Sequence, residues 1–582
     1  MKKIIVGLLW SGISTLLGAS ALVGGLSDAL ASGNEQGRQL PRKIDRQEVP
    51  TDSYVRVERS AMPTSPGYRF SSSAFLAVQV NVDDSSRNIV GDAANEPSIA
   101  VDRNNPNRIV IGWRQFDTIS NSFRQAGNGY TTDGGLTWTF PGVIEPGIFR
   151  SDPVLESDST GTVYYNSLSS STGNFVCTVF KSTDGGATWD GGTFAQGGDK
   201  QWMAIDKTGS MGEGHIYAYW TSSFSVCSPG FFTRSVNEGA SYEDCGVIPD
   251  DPYWGTLDVG PEGELYVLGA GFPDFVIAKS TNARDSAQAV SWDFTGGVDL
   301  DGEISAFAGM SSPNPGGLLG QAWVAVDHST GPTRGNVYAL CSVDRYSNSD
   351  PLDIMFARST DGGLTWSAPV RVNDDTTNTA WQWFGTMSVA PNGRIDVIWL
   401  DTRDDPGGLN SSLYYSSSSD AGVTWSANER LSDSFDPHLG WPQQQKMGDY
   451  FDMVSDEGGA SIAWAGTFNG EQDVYYGRIS LLTDVSDPDP SAPSEFLLAQ
   501  NYPNPFNPRT AISFRVPGRT RIAVSLQVFD VLGREVATLV NERKGPGTYE
   551  ATWDAADFAS GVYFYRLTAA GFSQSKKLLL LR

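Results

Sequence analysis

The chain has 582 residues, enough for about four units at roughly 150 residues per domain. Its 67 Asp and Glu against 41 Lys and Arg give a formal charge of −26. That balance argues against nucleic acid or an anionic membrane as main partner, since both require a cationic face. With 64 Gly, 31 Pro and 17 Trp, the composition describes many turns around an aromatic-rich core rather than disorder. Three His in the whole chain leave little room for a multi-histidine zinc site.

At the N-terminus, Lys2 and Lys3 precede an apolar run from Ile4 to about Val23, and Ala29-Leu30-Ala31 supplies small residues for cleavage. This pattern predicts a secretory signal peptide over residues 1–31, followed by a polar segment over 32–73. No later stretch has the ~18 apolar residues of a membrane span, so none is expected in the mature chain. The four Cys allow three pairings. Cys227 and Cys245, closest in sequence, are the candidate bridge, and Cys177 and Cys341 read as buried small side chains.

An eight-residue pattern, S/T-x-D-x-G-x-T-W, then recurs along the chain. It runs from Thr131 to Trp138, Ser182 to Trp189, Ser359 to Trp366 and Ser418 to Trp425, with a degenerate copy at Ser235 to Tyr242 and a split one from Ser280 to Trp292. Asp133, Asp184, Asp361 and Asp420 are placed to accept backbone N–H groups of their own turn, and the Gly permits positive φ. Trp138, Trp189, Trp366 and Trp425 begin the next strand as large buried rings. These eight residues are read as structural. The copies match the Asp-box, or BNR repeat, so the chain resembles sialidases and other families of Asp-box β-propellers.

A second repeat, a strand, a turn and a strand, begins at Pro97, Pro153, Trp202, Trp254, Trp323, Phe384 and Tyr450. The last copy lacks an outer strand, and Phe75 to Asp83 (FLAVQVNVD) is placed to supply it. The expected fold is therefore all-β, a seven-bladed propeller over 74–482, with six blades as the alternative because sialidases have six. Residues 483–496 form a linker containing Pro488, Pro490 and Pro493. Over 497–582, Asn501 to Pro508 (NYPNPFNP), Asp530 to Arg534 (DVLGR) and period-two alternation predict a small Ig-like β-sandwich. These motifs, in this order, are similar to the type A sorting domain of the type IX secretion system. The resemblance implies export through the periplasm, the secretion machinery as a partner, and release or display at a Gram-negative cell surface.

In a propeller, ligands meet the mouth of the central channel. The repeat nominates Glu96, Asp152, Asp199, Lys200, Asp251, Trp254, Gln321, Trp323, Trp383, Asp449 and Tyr450 at strand starts. Loops after second strands add Arg114, Asp344, Arg345, Asp401, Arg403 and Asp404. Glu96, Asp152, Asp449 and Tyr450 are the catalytic candidates, because glycoside hydrolysis uses one protonated and one ionised carboxyl group. Arg114, Arg345 and Arg403 are candidates for a sugar carboxylate, and Trp254, Trp323 and Trp383 for stacking on sugar faces. The alternative is that these charges pair and staple the blades. The Arg-Ile-Pro motif of sialidases is missing, and Glu96-Pro97-Ser98 stands before the first box, so their catalytic residues do not transfer. No cofactor or metal is expected, although Asp401, Asp404 and Asp405 carry oxygen atoms of the kind calcium takes. Three readings follow: a secreted glycan-binding propeller, a glycoside hydrolase of sialidase-like or polysaccharide-cleaving type, and a non-catalytic protein-interaction scaffold.

Overall fold

The structure, a computed structural model, describes residues 52–171, 174–271, 275–481, 496–516, 522–544, 547–569 and 572–581. The expected signal peptide, and the expected linker up to residue 495, lie outside the described residues. Two compact units divide the chain after Leu481.

The first unit is a β-propeller. Among the described residues its innermost strands are Ala93–Val101, Ser151–Ser157, Trp202–Ile205, Tyr253–Val259, Trp323–Val326, Gln382–Val389 and Asp452–Asp456. Each starts an antiparallel sheet whose following strands run outwards in chain order, except that the outer strands of the seventh come from the N-terminal part of the chain. Each also packs on the inner strand of the next sheet, and the seventh returns to the first, so the contacts close a ring of seven. Phe75–Gln79 pairs antiparallel with Asp473–Ser480, the outer position that the last sequence repeat leaves vacant. Arg69–Ser71 adds a further strand, and Thr64–Pro66 pairs with Arg87–Ile89. Of the described part of the polar N-terminal segment, Arg69–Ser71 thus joins the last sheet, and Thr64–Pro66 forms a separate two-stranded sheet. Closure removes the free sheet edges on which other chains would pair.

The repeated turns fold alike. In the first, Asp133 Oδ1 accepts the backbone N–H groups of Leu136 and Thr137, both at 3.0 Å, and the Thr131 hydroxyl at 2.7 Å. Its Oδ2 accepts the Thr137 hydroxyl at 2.6 Å. Asp184, Asp361 and Asp420 repeat this geometry, with Thr188, Thr365 and Thr424 N–H groups each 2.9 Å away. In the degenerate copies Asn237 and Asn282 take the same place, accepting from Ser241 N and Ser291 N at 2.9 Å. The tryptophans tie sheets together: Trp138 lies 5.4 Å from the Tyr476 ring and Trp425 lies 5.1 Å from Phe356, each in the preceding sheet. Trp189 donates to Asn128 of the sheet before it, while Trp366 Nε1 closes on Gly363 O of its own turn. Replacing Asp133 by Ala leaves two turn amides without this acceptor. The expected loss is about 1–3 kcal/mol, read as a lower urea midpoint.

The inner strands depart from simple alternation. Non-glycine residues sit at positive φ near the start of five of the seven inner strands: Glu96 (55°), Asp152 (45°), Lys200 (57°), Trp254 (52°) and Phe384 (58°). For four of them the ladder slips at the same place, between Asn95 and Ser98, Ser151 and Val154, Tyr253 and Thr256, and Trp383 and Thr386. These are β-bulges, which re-aim one side chain of the strand. Cys227 and Cys245 form the disulfide, and Cys177 and Cys341 are buried free thiols.

The second unit packs a three-stranded sheet (Leu497–Leu498, Arg509–Val516, Gly547–Asp554) with a four-stranded one (Ile522–Phe529, Glu535–Lys544, Gly561–Ala569, Phe572–Leu580). Ile512, Phe514, Leu526, Val528, Trp553, Tyr565, Leu567 and Leu578 form its core. Alternation decides this, because every second residue of Arg509–Val516 is buried. Asp530 closes its hairpin by accepting N–H groups of Leu532 (2.9 Å) and Arg534 (3.0 Å). Asn504 and Phe506 bind the last strand through Leu579.

Candidate functional site

The bulges bring charges from four sheets to the end of the channel where the inner strands begin. Lys200 Nζ lies 2.8 Å from Asp449 Oδ2, 3.2 Å from Asp152 Oδ2 and 3.5 Å from Asp199 Oδ1. Lys446 Nζ reaches the same Asp449 oxygen at 2.7 Å. Arg114 Nε stands 2.9 Å from Glu96 Oε2 and 2.8 Å from Asn95 Oδ1. None of Glu96, Arg114, Asp152, Asp199, Lys200, Lys446, Asp449 or Tyr450 is more than 3 % exposed. Burial pushes the Glu96 carboxyl well above its usual range, against the pull of Arg114. Burial also raises the Tyr450 phenol, with Glu96 and Asp152 adding to the effect. The Tyr450 hydroxyl donates to Pro153 O at 2.7 Å.

Two non-repeating segments, 305–320 and 436–448, are laced together over this cluster. Asn314 Nδ2 donates to Gly448 O at 2.9 Å, its Oδ1 accepts Met447 N–H at 2.8 Å, and Gly316 N–H binds Gln445 O at 2.8 Å. Leu318 N–H donates to Asp449 Oδ1 at 2.8 Å, joining the lacing to the ion cluster. The four catalytic candidates therefore come together, but as a neutralised and covered group. Lys446 and Asn314 escape a reading based on repeats, and the only signal for them is the extra length of these two segments.

The other nominated residues do not share that mouth. Arg345 is bound by Asp301 (2.8 Å) and Asp353 (2.9 Å) within its own sheet. Arg403 is held by Asp401 (2.8 Å), Asp374 (2.7 Å) and Asn428 (3.0 Å), and lies over the Tyr414 ring. With Arg114 on Glu96, each of the three arginines faces its own carboxylates and no shared anion site forms. Trp383 is not presented to a ligand: it is wholly buried, its Nε1 donating to Ser411 Oγ at 3.1 Å. Gln321 binds Gly255 O, Asp251 accepts the Ser222 hydroxyl, and Asp404 accepts the Tyr414 hydroxyl. Trp254 is half-buried against Tyr253 and Phe307. Asp344 is exposed, with a carboxyl raised by burial of part of its surface. Asp401, Asp404 and Asp405 diverge: Asp401 faces Arg403 and Trp399, Asp404 faces Arg430, and Asp405 caps Asn410 N–H. Among the described residues no group of three or more His, Cys, Asp or Glu is arranged to hold a metal ion.

The open half of the channel is the other one. A cavity of about 440 Å³ receives residues from all seven inner strands, towards the ends at which those strands finish. Trp202 and Trp323 line its deep end, ring centroids 5.1 Å apart and nearly perpendicular. Tyr450 stacks edge-on against Trp202 at 5.1 Å, between this pair and the ion cluster. Asp452 spans the last and first sheets, its Oδ2 accepting the Ser98 hydroxyl (2.6 Å) and Ile99 N–H (3.0 Å) and its Oδ1 accepting Met453 N–H (2.8 Å). Burial pushes its carboxyl up to about 7. Asp258 accepts Val326 N–H and Val259 N–H, both at 2.8 Å, and burial raises it too, while nearby His328 works against the shift. Lys207 is ion-paired with Glu156, and Arg103 lies exposed at the rim. Of the cavity lining only Trp323 was nominated from the sequence. The rest lie further along the same repeats, among them Asp452, two residues after Tyr450, and Arg103, seven after Glu96.

Residues 500–581 match the family model of the secretion system C-terminal sorting domain. The C-terminal unit is a type IX sorting domain. It marks the chain for the cell surface or the extracellular space, with the type IX secretion machinery as partner. No helix among the described residues is long and apolar enough to cross a membrane. No curated protein matches the chain. Similar solved structures include a protein of unknown function from Dyadobacter fermentans, 15% identical, with 70% of this chain and 98% of that one covered and a TM-score of 0.41. Trypanosoma rangeli sialidase in complex with the inhibitor DANA is 10% identical, with 86% and 89% covered and a TM-score of 0.33. The α-L-arabinofuranosidase Arb93A of Fusarium graminearum is 12% identical, with 71% and 98% covered and a TM-score of 0.26. These likenesses are of fold alone.

Proposed function

We propose that this secreted propeller binds a saccharide in the open half of its channel and does not cleave it. The observation that carries the reading is the cavity of about 440 Å³ with Trp202 and Trp323 at its deep end. Trp202 and Trp323, largely buried against each other, form an apolar floor for the C–H groups of a sugar ring, and the surrounding Ser, Thr and backbone groups suit its hydroxyls. The size is that of a small-molecule site, which ranges over about 300–1,000 Å³. Against hydrolysis stands the engagement of the carboxyl groups. Those at the covered end are ion-paired and out of reach, and at the open end Glu156 is paired with Lys207 while Asp258 and Asp452 accept backbone N–H groups. A general acid and a free second carboxylate are both needed for turnover.

Glycan-array binding of the full-length secreted protein tests this reading. Ser388 is half-exposed in the cavity wall, so Ser388→Trp fills the space and is expected to abolish binding. Trp323→Phe keeps an apolar ring and is expected to weaken binding at least fivefold. Asp449→Asn, at the covered end, should leave binding unchanged. Release of reducing sugar by the wild-type protein, abolished in Asp452→Asn, would overturn the non-catalytic part. Array binding indifferent to Ser388→Trp would overturn the site, and capture of protein partners with no saccharide bound would favour a scaffold.

A further inference from the structure

We infer that the saccharide taken by the open half is a neutral one, and that sugars carrying a carboxylate, sulfate or phosphate are rejected. This rests on the saccharide reading above and goes further by naming the ligand class.

A site for an acidic sugar needs a guanidinium or ammonium group held at the ligand and not already neutralised. Five carboxyl-bearing residues reach the cavity lining: Asp102, Glu156, Asp258, Asp452 and Asp456. The permanent cations of the lining are two, Arg103 and Lys207, with His328 beside Asp258. Lys207 is taken by Glu156. Arg108 stands 3.5 Å from Asp102, and Arg478 stands 2.6 Å from Asp456, so those two acids are answered from outside the lining. Asp452, pushed up to about 7 by burial, is half ionised at neutral pH and gains its full negative charge only above it. The carboxylate without a cation in direct contact is Asp258, answered by two backbone N–H groups. The single lining cation outside these pairs, Arg103, is at the rim and exposed to water, where its attraction is screened. An anion moving inwards therefore leaves water for a wall whose deep charges are acidic or already paired.

The remaining lining groups are of the kind a neutral polyol uses. Each inner strand is the edge of its sheet, so backbone N–H and C=O groups are turned towards the channel. Some are satisfied across sheets, as Val324 N–H is by Thr256 Oγ1 and Ser455 N–H by Ser388 Oγ. The rest of that edge offers uncharged donors and acceptors around two indole rings. Such a surface recognises hydroxyl patterns and apolar C–H groups without needing a counter-charge.

The test compares oligogalacturonates with their carboxyl-reduced counterparts, α-1,4-linked galactose oligomers of equal length that differ only at C6, and lactose with sialyllactose. Each is titrated into the full-length protein at about 50 mM and 500 mM salt. The neutral member of each pair is expected to bind at least tenfold more tightly. Raising the salt should narrow the gap, because screening weakens the repulsion. Glu156→Gln, which releases Lys207, should narrow it further, and Ser388→Trp should abolish binding of the neutral members. Equal or tighter binding of the acidic members, lost on Ser388→Trp or on Arg103→Ser, overturns neutrality but leaves the saccharide reading standing. Failure of every sugar to bind, in protein with an unchanged melting temperature, overturns both.

Discussion

Replacing Asp449 by alanine is expected to destabilise the propeller by about 3–5 kcal/mol, the usual consequence of removing one partner from a buried ion pair. Asp449 Oδ2 is the oxygen that Lys200 and Lys446 both approach, at 2.8 and 2.7 Å. Its other oxygen holds Leu318 N–H of the covering segment. The alanine variant leaves two ammonium groups out of water with less compensation and frees the lacing above them. Urea unfolding followed by tryptophan fluorescence measures the effect. Lys446→Met with Asp449→Leu in one chain should recover most of the loss, since replacing a buried pair by apolar groups is often close to neutral. Arg403→Ala, at a half-buried staple between the fifth and sixth sheets, should cost less, about 1–2 kcal/mol. An Asp449→Ala midpoint equal to the wild type would show that the ion cluster does not hold the channel end closed.

The second large effect is a stability that falls as pH rises through neutrality. Burial pushes Asp452 up to about 7, and burial together with neighbouring Asp92 pushes Asp473 up to about 8. In the unfolded chain both return to about 3.8. Between those values the folded form keeps protons that the unfolded form has released, so folding is favoured by acid. Their contribution is fully present below about pH 4 and is lost as pH rises through 7 to 8. For Asp452 the shift corresponds to about 4 kcal/mol. The repeated turns act in the opposite sense: the Thr365 hydroxyl and N–H hold Asp361 down at about 2, so its contribution is present above pH 4 and lost as pH falls towards 2. The stability maximum is expected near pH 4 to 5, with the melting temperature at pH 5.5 roughly 5–10 °C above that at pH 8.5. Asp473→Asn should flatten the alkaline limb and leave the acid limb in place. A melting temperature that rises from pH 5.5 to 8.5 would contradict the assignment of buried protonated carboxyl groups.

The particular residues explain how far the sequence carries. The turns were legible because Asp133 and its three copies find all their partners within eight residues, so the pattern in the chain is the pattern in space. The sorting domain was legible for a similar reason: hairpins such as the one closed by Asp530 are local, and alternation assigns their buried faces. The placement of Phe75–Gln79 beside Asp473–Ser480 followed from counting strands, although almost 400 residues separate the two.

The site was only partly legible. Glu96, Arg114, Asp152, Asp449 and Lys200 do converge, but Trp383, Arg345 and Arg403 lie elsewhere. Bulges at the strand starts shift the side-chain alternation, and a one-residue shift exchanges the two faces of a strand. Arg345 and Arg403 find carboxylates in their immediate loops, which hold them away from any common centre.

By itself, then, the sequence determined the all-β repeat architecture, the closing strand, the turn chemistry and the export signal at the C-terminus. Each of these rests on local hydrogen bonding or on periodic burial. Which end of the channel is open was decided only by tertiary structure. The covering contacts join Asn314 to Gly448 and Leu318 to Asp449, across 134 and 131 residues of chain, through segments with no counterpart in the repeat. Three-dimensional packing alone sets two ammonium groups on one Asp449 oxygen and leaves Trp202 and Trp323 lining a space that no neighbouring side chain fills.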